Sequence, residues 1–145
     1  MKEKSKAEFM VEKFFNRVWL PPGDLAAIDE LMTEDYLIVT AGKEIKGRDN
    51  FKKWVRQFHE VLKDPINKIE DMFVNPEGNM VVCRWKCSGY NHGIFDLEAT
   101  GDPISFTGIA IWEIREDKFC RCWVERSALE IYRALKGGNA GDIGI

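Results

Sequence analysis

Side chains able to move a proton near neutral pH are few in this chain of 145 residues, which has only 2 histidines. His59 follows Gln57 and Phe58 in a segment of helical spacing, so it points either to the mouth of a cavity or to solvent. His92 lies between Gly89 and Gly93, in a loop where an imidazole can gate a site, carry a proton or simply face water. Tyr36 at the start of a strand and Asp96 in the same loop region complete the candidates for acid–base chemistry at a carbonyl compound. Arg84 can reach a carboxylate or enolate oxygen, or pair with a neighbouring-strand glutamate such as Glu113 or Glu125. The 4 cysteines do not have the Cys-x-x-Cys spacing of a zinc knuckle, since Cys83 and Cys87, and Cys120 and Cys122, are differently spaced. Residues at i and i+2 of a strand share a face but diverge, so these read as free thiols acting as small apolar side chains in a reducing compartment. No metal or cofactor is expected.

The elements that must hold these groups are clearest between Val81 and Trp123. Val81, Cys83, Trp85 and Cys87 recur at every second position, as do Ile104, Phe106, Gly108, Ala110, Trp112 and Ile114, with Ser105, Thr107, Glu113 and Arg115 among the residues on the other side, which is the pattern of half-buried strands. Arg115-Glu116-Asp117-Lys118 is short enough to force a hairpin into a further strand from Phe119 to Arg126. Upstream, Phe9, Val11, Phe14, Phe15, Val18 and Trp19 recur at helical spacing until Pro21-Pro22-Gly23. Asp24 caps a short helix carrying Leu25, Ile28, Leu31 and Met32, and Tyr36 to Ala41 is a strand before a Gly42-Lys43 turn. Asp49 caps a helix with the stripe Phe51, Trp54, Val55, Phe58 and Leu62, stopped by Asp64-Pro65; a strand from Ile66 to Asn75 follows.

Helices first and antiparallel strands afterwards predict an α+β fold in which a strongly curved antiparallel sheet is packed by N-terminal helices on its concave face. One domain over 1–136 accounts for the length, with a glycine-rich flexible tail over 137–145. A hydrophobic fraction of 45% argues against disorder, and 31% charged residues supply a solvated surface. The net charge of -3 comes without a basic block, which removes the electrostatic footprint of a nucleic-acid or anionic-membrane partner. No apolar run approaches spanning length, so the expected location is the cytoplasm.

Several short motifs together resemble a known family. Val18-Trp19 with Gly23-Asp24-Leu25 is similar to a "V-W-N-x-G-D-L" helix end, and Gly47-Arg48 to a glycine entry into a long helix. Arg84-Trp85, Gly89, Gly93 and Thr100-Gly101 resemble "R-W-x-x-x-G-x-H-x-G" and a later "P-T-G". Phe106-Thr107-Gly108-Ile109 matches "F-x-G-I", and Lys118-Phe119 with Trp123 matches "K-I-V-E-H-W-D". From roughly Phe14 to Leu135 the chain resembles the SnoaL-like polyketide cyclases of the nuclear transport factor 2-like superfamily, cone-shaped α+β barrels.

The resemblance implies a pocket, and the departures bear on its chemistry. Where the family carries histidine and the acid–base aspartate around the terminal tryptophan, this chain has Cys122 and Val124; Asn91 replaces the loop histidine, and Val39 or Thr40 that of the first strand. Period two then puts Cys120, Cys122 and Val124 on the pocket face, beside Phe106, Gly108, Ala110 and Trp112, with Gly108 and Ala110 leaving room for a ligand. Phe15, Trp19, Trp54 and Phe58 close the cavity from the helices, although each aromatic is equally explained by core packing. Two function classes follow. One is a divergent cofactor-independent cyclase, isomerase or hydratase acting on a small hydrophobic carbonyl compound, in which His59, His92, Tyr36 or Asp96 replaces the aspartate; the other is a non-catalytic module binding a small hydrophobic ligand. A homodimer is expected through Ile109, Ile111 and Trp123 on the opposite sheet face, and dimerisation alone would be a third role.

Overall fold

The computed structural model describes residues 3–137. Helix α1, Lys6–Phe14, begins at a capping box: Ser5 Oγ accepts from the Glu8 amide at 3.2 Å, and the Glu8 carboxylate accepts from the Ser5 amide at 3.2 Å. Its buried stripe is Ala7, Met10, Val11 and Phe14, whereas Phe9, expected in the stripe, is 57% exposed. The chain then widens into a π-helical turn, Phe15–Trp19. The extra residue in that turn rotates the inward face, so consecutive Phe14 and Phe15 are both buried.

Helix α2, Ala26–Leu31, opens on Asp24, whose carboxylate accepts from the Ala26 amide at 3.1 Å. It ends one residue earlier than its apolar spacing suggests, because Met32 already begins strand β1, Met32–Thr40. The expected turn falls at Ala41-Gly42 and leads into a short strand β2, Lys43–Lys46, that pairs back on β1. Helix α3, Arg48–Val61, starts after Gly47 at φ 87°, a backbone conformation natural to glycine, and not at Asp49, which lies within the first turn. Asp29 of α2 ties this helix start down through Arg48 Nε at 3.0 Å and Lys52 Nζ at 2.8 Å, and the Lys52 hydrogen bond holds the Asp29 carboxyl below its usual value.

Strand β3, Leu62–Val74, begins directly after α3 and contains Pro65, which was expected to precede it. Proline is tolerated there because β3 is an edge strand and its register with strand β4, Met80–Asn91, shifts between Lys63 and Ile66. Strands β5, Pro103–Arg115, and β6, Lys118–Arg126, form the expected hairpin, and helix α4, Ala128–Leu135, follows without having been anticipated. Gly137 closes α4 at φ 89°; the rest of the expected tail, 138–145, lies outside the described residues.

The 6-stranded sheet has the order β2-β1-β6-β5-β4-β3. All pairings are antiparallel except β1 with β6, which are parallel. Strand alternation specifies faces but not the relative direction of strands far apart in the chain, so this pairing was not legible. The predicted inward faces hold: Val81, Cys83, Trp85, Cys87, Ile104, Phe106, Ala110 and Trp112 are all buried. They form one core with Phe14, Phe15 and Val18 of the first helical segment and Phe51 and Val55 of α3. No helix of the described residues is long and apolar enough to cross a membrane.

Candidate functional site

Between the inner sheet face and the helices lies a cavity with about 60 Å³ of free space. Its sheet wall is Ile38 of β1, Trp85 and Cys87 of β4, Phe106, Ala110 and Trp112 of β5, and Cys122, Val124 and Arg126 of β6. Phe14, Phe15 and Trp19 cover it from the first helical segment, Trp54 and Phe58 from α3, and Asn67 of β3 stands at its rim. The two sides differ in exposure: Phe106, Ala110, Trp112 and Cys122 are buried, while Trp19, Trp54 and Phe58 are half-buried. Trp19 makes edge contacts with Trp54 and Phe58 at centroid distances of 5.8 and 5.0 Å.

Two expected wall residues are not in it. An added Cβ at Gly108 would overlap the Trp85 ring, so the space that Gly108 leaves is already filled by an indole and is not available to a ligand. Cys120 leaves the inner face because β6 carries an extra residue between the Phe119–Ile114 and Arg121–Glu113 pairs. Phe119 turns inward in its place, and the Cys120 thiol lies 3.3 Å from the Glu113 carboxylate.

None of the four acid–base candidates lines this cavity. His59 is half-buried, with Nε2 2.9 Å from the Val18 carbonyl oxygen. A carbonyl only accepts, so Nε2 carries the proton and the ring is committed to tying α3 to the end of the π-helical turn. His92 and Asp96 are exposed on the loop after β4. That loop does not lid the cavity. Asn91, 1% exposed, holds it in place: its Nδ2 donates to the Glu98 carbonyl at 2.9 Å and to Thr100 at 3.0 Å, and its Oδ1 accepts from the Gly93 and Ile94 amides, each at 3.0 Å. Tyr36 is fully buried against Phe51, behind the cavity wall, and its hydroxyl faces the Trp112 indole and the Cys122 thiol. Burial raises its pKa well above the phenol value, so it stays protonated. Arg84 pairs with Asp71, Nε at 2.9 Å from the carboxylate, on the outer face, and not with Glu113 or Glu125. The thiols are no better as bases: burial pushes Cys87 up to about 12, and Cys122 is raised by the same cause.

Arg126 was missed, although its parity with Cys122 and Val124 was readable. Its guanidinium lies over the Trp54 ring, 5.5 Å from the centroid. Burial lowers its pKa, but a guanidinium remains charged at neutral pH.

A profile of the SnoaL-like domain matches residues 11–122. The chain belongs to the SnoaL-like family. Its fold recurs in solved structures. TsrD from Streptomyces laurentii is 23% identical, with a TM-score of 0.79 over 93% of this chain and 98% of that one. A candidate polyketide cyclase from Acidithiobacillus ferrooxidans is 21% identical, with a TM-score of 0.81 over 95% and 99% of the two chains. IdmH from Streptomyces antibioticus, also a candidate polyketide cyclase, is 17% identical, with a TM-score of 0.76 over 91% and 99%. These likenesses concern the fold, and no curated protein matches the sequence. In this SnoaL-like chain the positions that resemble the family's histidine and aspartate are Cys122, 2% exposed, and Val124, 8% exposed, both in the cavity wall.

Proposed function

We propose that this SnoaL-like protein takes a small hydrophobic molecule into the cavity between sheet and helices and holds it without the acid–base chemistry of a cyclase. The observation that supports this reading is the lining itself, which contains aromatic and aliphatic carbon, two thiols, one amide and one guanidinium, but no carboxylate and no imidazole. Ring closure of the aldol type needs a group that removes a proton alpha to a carbonyl. Neither Val124 nor a thiol of raised pKa does so at neutral pH. The half-buried Trp54 and Phe58 are the side chains that can swing out to enlarge the cavity for a ring-sized ligand. Titrating the protein with a neutral aromatic ester, methyl 2-naphthoate, and reading tryptophan fluorescence tests this, because Trp19, Trp54, Trp85 and Trp112 all border the cavity. Saturable binding is expected, and Val124→Phe should abolish it by filling the wall while far-UV circular dichroism is unchanged. Unaltered binding in Val124→Phe would place the ligand elsewhere.

A second role rests on the outer face of the same sheet. Cross-strand pairing sets Phe73, Val82, Ile111, Trp123 and Val39 in one row across β3, β4, β5, β6 and β1, with Phe73 67% exposed and Ile109 beside the row 49% exposed. Such a row needs a cover, and a second copy of the chain supplies a matching apolar sheet. Light scattering at micromolar concentration should report a dimer, and Trp123→Arg should shift it to monomer without changing the unfolding midpoint of the isolated chain.

A further inference from the structure

Arg126 has the parity of an inward-facing strand residue, lies at the end of the β6 wall, and borders a cavity otherwise built from carbon, sulfur and a single amide. Among the described residues no carboxylate pairs with it and no carbonyl accepts from it; its contact is the face of Trp54, and the titratable group that faces it is the Cys87 thiol, which stays neutral. A stacked indole offsets part of the cost of removing a guanidinium from water but accepts none of its in-plane N–H groups. Those donors form a fork that matches a carboxylate. Asn67, the one amide of the lining, sits at the same end of the sheet: it pairs with Cys87, two residues along β4 from Trp85, which pairs with Gly108, and Gly108 pairs with Arg126. Its side chain makes no hydrogen bond among the described residues, so its amide N–H group is available to a ligand in the cavity.

We infer that Arg126, assisted by Asn67, anchors the anionic end of the cavity's ligand, which is therefore an apolar acid, an aromatic or alicyclic carboxylate whose body lies against Ala110, Trp112 and Val124. This rests on the reading of the cavity as a ligand site and adds the chemical class of the ligand. In this arrangement the apolar walls supply affinity for any hydrophobic body of suitable size, and the guanidinium selects acids over esters and alcohols. Nothing in the lining repels an anion, since it contains no Asp or Glu.

The test uses the full chain and two probes of nearly equal shape, 2-naphthoate and methyl 2-naphthoate, titrated near pH 7. Wild type should bind the acid about 10- to 100-fold more tightly than the ester, the range of a charge-assisted hydrogen bond. Arg126→Met should bring that ratio close to one, Arg126→Lys should restore part of it, and Asn67→Leu should reduce it to a lesser degree. Equal binding of acid and ester by wild type overturns the anchor while leaving the apolar site intact, and this comparison needs no variant to fold. A ratio unchanged in Arg126→Met also overturns it. Failure of wild type to bind either probe overturns the ligand-site reading and the anchor together.

Discussion

Both ends of the cavity carry aromatic side chains, and they are packed to different degrees. At one end Phe14 touches Phe15, Trp19, Phe51, Trp112 and Phe119 with ring centroids 5.8 to 6.4 Å apart, and Phe51 and Phe119 are completely buried. At the other, Trp54, Phe58, Asn67 and Arg126 are only half-buried and enclose open space. Aromatic content is therefore no guide to where a ligand fits. What separates the ends is exposure: Phe14, Phe51 and Phe119 are closed off from solvent, whereas Trp54, Phe58 and Arg126 keep part of their surface in it.

The largest expected effect tests that contrast directly. Phe51→Ala at the packed end should cost about 3 to 5 kcal/mol of stability, the range for a buried phenylalanine whose site cannot collapse. Trp54→Ala should cost clearly less in urea unfolding, because its ring is half-exposed. Equal losses would mean that the open end is as tightly packed as the other.

Gly108 marks the boundary between the two. Gly108→Ala should destabilise by about 1 to 3 kcal/mol, because its Cβ would enter the Trp85 indole, and overpacking of a filled site costs that much. Trp85→Leu in the same chain should recover part of the loss. A neutral Gly108→Ala would show that the indole moves easily and that the cavity extends further along β5 than the packing indicates.

A further comparison concerns pH and the thiols of β4. Burial raises Cys83 and Cys87 from the ordinary thiol value, 9.0, to about 12 in the folded chain. Below the ordinary value both states are protonated and pH has no effect through these groups. Above it the unfolded chain ionises first, so folded stability is progressively lost between about pH 9 and about pH 12. Urea unfolding at about pH 8 and about pH 10.5 should show this decline, and Cys83→Ala with Cys87→Ala should flatten it relative to the parent. An undiminished decline in the double variant would assign it to other groups.

Much of the fold was legible along the chain. Strands β4, β5 and β6 followed from alternation, and α1 and α3 from helical spacing, because both periods are properties of consecutive residues. One error arose where an extra residue interrupts a period. The bulge in β6 turned Cys120 away from the inner face, whereas Phe9 lies outside the stripe Ala7, Met10, Val11 and Phe14 by ordinary helical spacing. Helix α4 went unread, although Ile131 and Leu135 mark an apolar stripe.

For the site, the sequence by itself determined that an apolar wall stands where the resembling family carries catalysts, since Cys122 and Val124 share one strand face and neither supplies a base at neutral pH. It also determined that membership of the SnoaL-like family brings a cavity-forming fold rather than a particular reaction. Only the tertiary structure decided that Trp85 occupies the space of Gly108, that the Val18 carbonyl engages His59, and that Arg126 meets Trp54 instead of a carboxylate. The physical reason is common to all three. Strand and helix periods specify which way a side chain points, whereas what it meets depends on the distance between segments brought together by the packing of helices onto the sheet, and that distance is not a property of either segment alone.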